Sequence, residues 1–326
     1  MPPFRRILVL EFISAGGLAE ADAGGPEHAA LLAQGRAMRD ALLRDLLGID
    51  GLEVACAVAA GDVSLEGSGV RLRPLITGET PEAFLRREHM HHGAVWIVAP
   101  ETDGILAALH AAADNTTWIG CSRSAIQLTT SKSATRRCLR AAGLRVPDEA
   151  DGAPDNSGPW VVKPDDGAGT VASRRHPTLA AARADAATRG TAQGPTTIER
   201  WVEGTPMSLS LLVTGDRAEL LAVNRQDVSV AADGMLGYTG VVFERPGPGG
   251  PALDWLAAQL ALAIPGLAGY LGVDLVMGPD GVATVIEVNP RLTCAYIGLS
   301  ERLGRPLAAE ILAAAATRTE TDLVLA

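Results

Sequence analysis

An α/β chain folded as two or three packed subdomains is what the sequence predicts, and three observations carry the prediction. Its 326 residues exceed what one ordinary hydrophobic core organises, so subdomains of roughly 100 residues each are expected. An apolar fraction of 47% and a charged fraction of 20% belong to a globular protein rather than a disordered or fibrous one. Short apolar runs alternate with helical patterns through the first half, as in a parallel sheet.

The run Ile7 to Leu10 reads as a buried strand, followed by a glycine turn at Gly16 and Gly17 and a helical stretch from about Glu27 to Leu47. Val54 to Ala59 and Val95 to Val98 fit further strands, Gly104 to Ala113 is helical in pattern, and Trp118 with Ile119 opens another strand. After Ser122 one helix is expected through about Ala142, then a turn at Gly143 and a linker rich in Asp, Gly and Pro from Val146 to Pro159. The strand Trp160 to Lys163, the alanine-rich helix Thr178 to Thr188 and the strand Thr197 to Val202 make a compact unit suited to a lid. Strands follow near Leu209 to Val213, Glu219 to Val223, Tyr270 to Met277 and Val282 to Val288, the last two joined by the turn Pro279-Asp280-Gly281. Leu253 to Ala263 and Pro306 to Ala316 look helical, and Arg245 to Pro251 is a Pro/Gly loop.

A net charge of -10 without a basic stripe argues against nucleic acid or an anionic membrane as partner. No apolar run reaches the roughly 18 residues of a membrane span, and Arg5, Arg6 and Glu11 interrupt the start where a signal peptide needs apolar residues. A cytoplasmic enzyme of small-molecule chemistry is the expectation, with a homodimer left open. Cys56, Cys121, Cys138 and Cys294 lack disulfide or zinc spacing and read as buried thiols, Cys294 having the pocket wall as its other option. His89, His91 and His92 read as an exposed polar loop rather than a zinc site, and Trp201 as core. Among 28 basic residues only Lys132 and Lys163 are lysine; where arginine otherwise serves throughout, two lysines point to chemistry that needs a compact ammonium.

Three constellations carry that chemistry. Asp274 lies on one strand of the last hairpin and Glu287 and Asn289 on the other, inside the apolar runs LGVDLVM and TVIEVNP where unpaired charge is costly. Alternation puts Glu287 and Asn289 on one face, and the hairpin brings Asp274 beside them, a hard-oxygen set suited to magnesium. Lys163 ends a strand before Asp165-Asp166-Gly167-Ala168-Gly169-Thr170, where glycines let N–H groups approach phosphate. Lys132 sits on a helix, and Glu199-Arg200-Trp201-Val202-Glu203-Gly204 leaves the lid as a strand.

The order of these pieces from about residue 120 to 310 resembles the ATP-grasp family. The resemblance implies an ATP-grasp fold: an N-terminal parallel α/β subdomain over residues 1–122, a small α+β lid over 123–200, and a C-terminal α+β subdomain over 201–326 with the metal site. It further implies that Lys132 and Lys163 contact ATP phosphates beneath the loop Gly167, Ala168, Gly169 and Thr170. Glu199, Arg200, Trp201 and Val202 hold adenine through backbone groups, and Glu203 is the acid nearest to the usual ribose position. By the same resemblance Asp274, Glu287 and Asn289 would hold two magnesium ions (Mg2+), and Arg291 of Asn289-Pro290-Arg291 would stabilise the transferring phosphoryl group.

The opening Leu10-Glu11-Phe12-Ile13-Ser14-Ala15-Gly16-Gly17, with Asn224-Arg225-Gln226 and Gly237-Tyr238-Thr239-Gly240, is similar to tyramine–glutamate ligases of methanofuran biosynthesis and their bacterial relatives. That narrower likeness implies a carboxylate and an amine as substrates, L-glutamate and tyrosine or tyramine, with Arg225, Gln226 and Tyr238 near them. Arg225 is the expected carboxylate clamp, a surface ion pair being its alternative. A phosphotransferase and a nucleotide-binding module without catalysis stay open as other classes.

Overall fold

The computed structural model describes residues 2–18, 26–114, 116–167, 169–189, 194–246 and 249–325. Its first sheet is parallel, built from β1 (Arg6–Glu11), β2 (Glu53–Val58), β3 (Arg71–Pro74), β4 (Ala94–Val98) and β5 (Thr117–Trp118) in the order β3-β2-β1-β4-β5. The run Ile7 to Leu10 is fully buried because helices cover both faces of the sheet. Ile7 and Val9 share a core with Leu42 and Leu46 of α1 (Pro26–Leu47). Leu8 and Leu10 share another with Phe84 and Leu85 of α2 (Pro81–Glu88) and Leu106 and Leu109 of α3 (Ile105–Ala112). Chain order reverses between β1 and β4, so a crevice opens at the carboxyl ends of these two strands.

Two helices, α4 (Arg123–Thr130) and α5 (Lys132–Ala141), occupy the stretch for which one was expected. Ser131 breaks it with extended backbone (φ -88, ψ 113), and its Oγ accepts from the Ala134 N–H as the cap of α5. The break places Lys132 at the first turn of α5. β6 (Trp160–Pro164) is central in a three-stranded antiparallel sheet between β7 (Arg174–His176) and β8 (Thr196–Arg200), covered by α6 (Leu179–Arg189). Trp160, Val162, Leu179 and Ala182 form a core separate from the rest, as a lid requires.

The third sheet is antiparallel: β9 (Thr205–Thr214), β10 (Arg217–Val230), β11 (Leu236–Pro246), β12 (Gly269–Met277) and β13 (Ala283–Asn289), ordered β11-β10-β9-β12-β13. Leu209, Leu211 and Val213 join α7 (Pro251–Ala263) in the core that also holds Leu8 and Leu10, so the first and third sheets share one apolar interior. The short α8 (Leu299–Leu303) leads to α9 (Leu307–Leu325). The expected Pro/Gly loop begins instead as the end of β11. Among the described residues no helix is long and apolar enough to cross a membrane.

The histidine segment is not an exposed loop. It forms a 3-10 turn in which His89 and His92 are buried, His89 Nδ1 bonding to Thr116 Oγ1 at 2.8 Å, while Met90 is exposed. Cys56 and Cys121 are buried free thiols, and Cys138 and Cys294 are partly exposed.

Candidate active site

One cavity of about 440 Å³ lies where the three sheets meet, and most of the expected site residues border it. β12 and β13 pair so that Asp274 stands opposite Glu287, with Gly272 opposite Asn289. A bulge at Ile286 shifts the register between Asp274 and Leu275, so Ile286 and Glu287 both reach the cavity, which strict alternation forbids. Asp274 accepts from Gln226 Nε2 at 2.8 Å and from Asn289 Nδ2 at 3.1 Å. Its carboxyl is pushed up to about 7, by burial first and then by Glu287.

The lysines come from two different elements. Lys132 donates to Glu287 Oε1 at 2.9 Å and to the Gly167 carbonyl. Burial pulls its ammonium down, but Glu287, Glu101 and Glu199 outweigh this and leave it raised. Lys163, at the end of β6, pairs with Glu199 Oε1, whose other oxygen takes Arg136 Nη1 at 3.0 Å. Asp165 anchors the glycine loop: Ser131 Oγ donates to its Oδ2 at 2.5 Å and the Ser133 N–H to its Oδ1 at 2.8 Å. Gly169 and Thr170 border the cavity, Gly167 meets it through Lys132, and Ala168 lies outside the described residues.

Glu199, Arg200, Trp201 and Val202 border the cavity where the lid leaves it. The N–H groups of Arg200 and Trp201 are taken by the carbonyls of Asp148 and Pro159, so these two donors are already used and are not free for adenine. Trp201 is a wall rather than core, with the Arg175 guanidinium 5.2 Å from its ring centre and its own Nε1 buried without a partner among the described residues. Glu203 turns outward, 70% exposed and 3.7 Å from Arg175, and does not border the cavity.

Arg225 is a further correction. On β10, Gln226 and Val228 face the cavity, so alternation turns Arg225 to the outer face, where it is 55% exposed and 3.5 Å from Glu244. Tyr238 and Val241 of β11 face the cavity on either side of a bulge at Thr239. Burial raises the Tyr238 hydroxyl. Arg291 borders the cavity and forms a two-oxygen pair with the buried Glu101.

Several wall residues escaped the sequence reading. Leu31, Gln34, Gly35 and Met38 line the cavity from α1 at i, i+3, i+4 and i+7, a stripe that helical spacing could have flagged. Glu11 ends β1 at the crevice and accepts from the N–H groups of Ser14 at 2.7 Å and Ile13 at 3.1 Å; burial raises its carboxyl against these bonds. Cys294, by contrast, takes the option of the pocket wall that the sequence left open to it, its thiol raised by burial.

The donor set fits magnesium. Asp274, Glu287 and Asn289 offer hard oxygens, and Asn289 can present Oδ1 because amide N and O are interchangeable by a flip. Among the described residues no three His, Cys, Asp or Glu side chains cluster to hold an ion. Lys132 and Lys163, both held by carboxylates, border the cavity together with the cations Arg200 and Arg291.

Known proteins resemble the chain in sequence and in fold. A pre-ATP-grasp domain model matches residues 54–126 and an ATP-grasp domain model matches residues 129–295. The tyramine–L-glutamate ligase of Methanocaldococcus jannaschii is 25% identical over 296 residues, covering 89% of this chain and 85% of its own. In fold, the chain is similar to an ATP-grasp superfamily protein from Archaeoglobus fulgidus, with a TM-score of 0.69, 21% identity and coverage of 94% of this chain and 87% of the other. It is also similar to D-alanine–D-alanine ligase from Bacillus anthracis complexed with ATP, with a TM-score of 0.61, 14% identity and coverage of 98% and 99%. With the central domain model matching half of the chain and bracketing both lysines, Asp274, Glu287, Asn289 and Arg291, the protein belongs to the ATP-grasp family.

Proposed function

We propose that this chain is an ATP-dependent ligase that joins the side-chain carboxylate of L-glutamate to the amine of tyrosine or tyramine through an acyl phosphate, in methanofuran- or methylofuran-type cofactor biosynthesis. The observation that carries the ligase reading is convergence: Lys132, Lys163, Asp274, Glu287, Asn289 and Arg291 leave four separate elements and border one cavity. The substrates rest on the named activity of the archaeal relative. In this reading residues 1–122 supply the crevice, 123–200 the lid and 201–326 the metal site.

A carboxylate acylates poorly because oxide is its leaving group. The γ-phosphoryl group of ATP therefore passes to it first, releasing ADP; the amine then attacks the acyl carbon, inorganic phosphate leaves, and the nitrogen gives up a proton. Lys132 and Lys163 exchange Glu287 and Glu199 for phosphate oxygens, a swap of partners that avoids stranding either charge. Asp274, Glu287 and Asn289 would hold magnesium, which would supply neutralisation of phosphate charge. Arg291 presents a guanidinium to the transferring group, and the lid with its separate core closes over the cavity to exclude water from the acyl phosphate. Leu31, Met38 and Tyr238 give the cavity apolar surface for the acceptor, with the Glu11 carboxyl beside them in its lining.

The test is inorganic-phosphate release with ATP, magnesium, L-glutamate and tyrosine or tyramine, omitting each in turn, with mass spectrometry of the product. A γ-glutamyl amide formed only with all components supports the proposal. A stable phosphorylated product without phosphate release makes the chain a phosphotransferase. Ligation of other pairs, with none on glutamate, keeps the ligase and removes the substrates.

A further inference from the structure

Arg291 follows β13, whereas Glu101 follows β4, so their contact joins the third sheet to the first across 190 residues of chain. Arg291 Nε donates to Glu101 Oε1 at 3.0 Å and Oε2 at 3.1 Å, and Nη2 donates to Oε2 at 3.0 Å. A fork of this kind fixes the plane of the guanidinium as well as its place. Glu101 is 3% exposed and does not border the cavity; Arg291 does. The carboxylate thus stands behind the guanidinium, on the side away from any ligand. Nη1 makes no bond to Glu101, and among the described residues its partner is the Leu292 carbonyl at a long 3.4 Å.

A buried ion pair gives weak ground for stability, since desolvation cancels much of the attraction. Position is the better account here. The loop that carries Glu101 continues to Asp103, whose backbone N–H donates to Asp166 Oδ2 at 3.0 Å beside the glycine loop. One short segment of the first subdomain therefore touches both the arginine of the third and the phosphate-covering loop of the lid.

We infer that Glu101 is a positioning residue: it holds Arg291 by Nε and Nη2 so that Nη1 is the donor turned toward the group being phosphorylated, and it does so only while the first and third sheets are docked. The inference rests on the phosphoryl-transfer part of the proposed function and not on the identity of acid or amine. Glu101 orients the site through Arg291; its charge also favours the Lys132 ammonium, which MgADP and its fluoride complex feel alike, so removing it after Arg291 is gone changes the gain from fluoride no further.

The experiment is calorimetric titration of the full chain with MgADP, and with MgADP plus aluminium fluoride, which imitates the phosphoryl group in flight. The variants are Glu101→Gln, Glu101→Asp, Arg291→Ala and the double variant Glu101→Gln with Arg291→Ala. MgADP affinity is expected to stay within about 2-fold throughout, while Glu101→Gln weakens the fluoride complex by about 10- to 100-fold, the usual scale for losing a partner that orients a site group. Glu101→Asp keeps the charge but shortens the arm, so it is expected to lose affinity too. The double variant should match Arg291→Ala, the signature of two residues acting as one unit. Undiminished fluoride binding in Glu101→Gln and Glu101→Asp overturns the inference, as do losses that multiply in the double variant, or an unaltered chain that gains nothing from fluoride. Should Glu101→Gln fail to fold, Glu101→Asp alone decides. An unaltered chain that binds the fluoride complex but ligates no acid to any amine sinks the ligase proposal and leaves this test readable.

Discussion

Asp274→Asn probes the metal site through its electrostatics, without waiting for a substrate. In the ligand-free chain the Asp274 carboxyl is pushed up to about 7 from 3.8, by burial and then by Glu287 across the hairpin, with Asn289, Gln226 and Arg291 opposing. Between these values the folded chain keeps a proton that the unfolded chain has lost, so stability falls as pH rises from about 4 to about 7 and is level above. At about 1.4 kcal/mol per pKa unit the loss is roughly 4 kcal/mol. Asp274 is only partly shielded from the water of the cavity, which brings the figure to about 2 to 3 kcal/mol. The amide cannot ionise and escapes that loss. It does, however, set an NH2 group against Gln226 Nε2 or Asn289 Nδ2, a mismatch of about 1 kcal/mol until one of them flips. Metal-free Asp274→Asn should therefore be more stable than the unaltered chain by about 1 to 2 kcal/mol above neutral pH, melting a few degrees higher. Magnesium reverses the ranking, because it selects the ionised carboxylate. Its apparent affinity for the unaltered chain should weaken up to about 10-fold per pH unit below about 7 and level off above, as expected of proton competition at one ligand. Thermal unfolding across this range in a chelator, then with magnesium, reads both effects. A variant whose melting falls with pH as steeply as the unaltered chain refutes the reasoning.

Three further outcomes follow from the geometry. Lys163→Arg should lose about 100-fold or more in phosphate release while melting normally, since a planar fork does not replace a compact ammonium that pairs end-on with Glu199; near-normal turnover removes the argument from lysine scarcity. Arg225→Ala should leave the glutamate concentration for half-maximal rate within about 2-fold, because an exposed pair with Glu244 contributes little; a large rise restores the carboxylate clamp. Gly35→Ala should destabilise by about 1 to 3 kcal/mol despite the helix preference for alanine, since its Cβ falls 2.5 Å from the Glu11 carboxylate that Ser14 and Ile13 hold in place; equal or higher denaturant resistance counts against that rigidity.

What the sequence made readable and what it hid divide along physical lines. Ile7 to Leu10 announced a strand because a two-faced parallel sheet needs a continuous apolar run, and the hairpin of Asp274 and Glu287 was visible because charge inside such a run has few innocent explanations. β3, α2 and β7 carried too few apolar residues to register. β10 and β11 were cut short or missed because their inner faces line a cavity rather than a core, so Gln226 and Tyr238 stand where a packed sheet would repeat valine or leucine. Alternation says that Arg225 and Gln226 point opposite ways; it does not say which points inward. That choice depends on β11 and on the bulges at each strand, which relocate the parity of every later residue. Glu101 was harder still. Beside Thr102 and Asp103 it has the look of a polar turn, and its chemistry exists only because the chain order of the first sheet brings the end of β4 against the segment after β13. Residues that act by local spacing are thus read from a sequence. A carboxylate whose hydrogen-bonded arginine lies 190 positions away is found only once the sheets are docked, and this is why the arginine was expected in the site and the group that aims it was not.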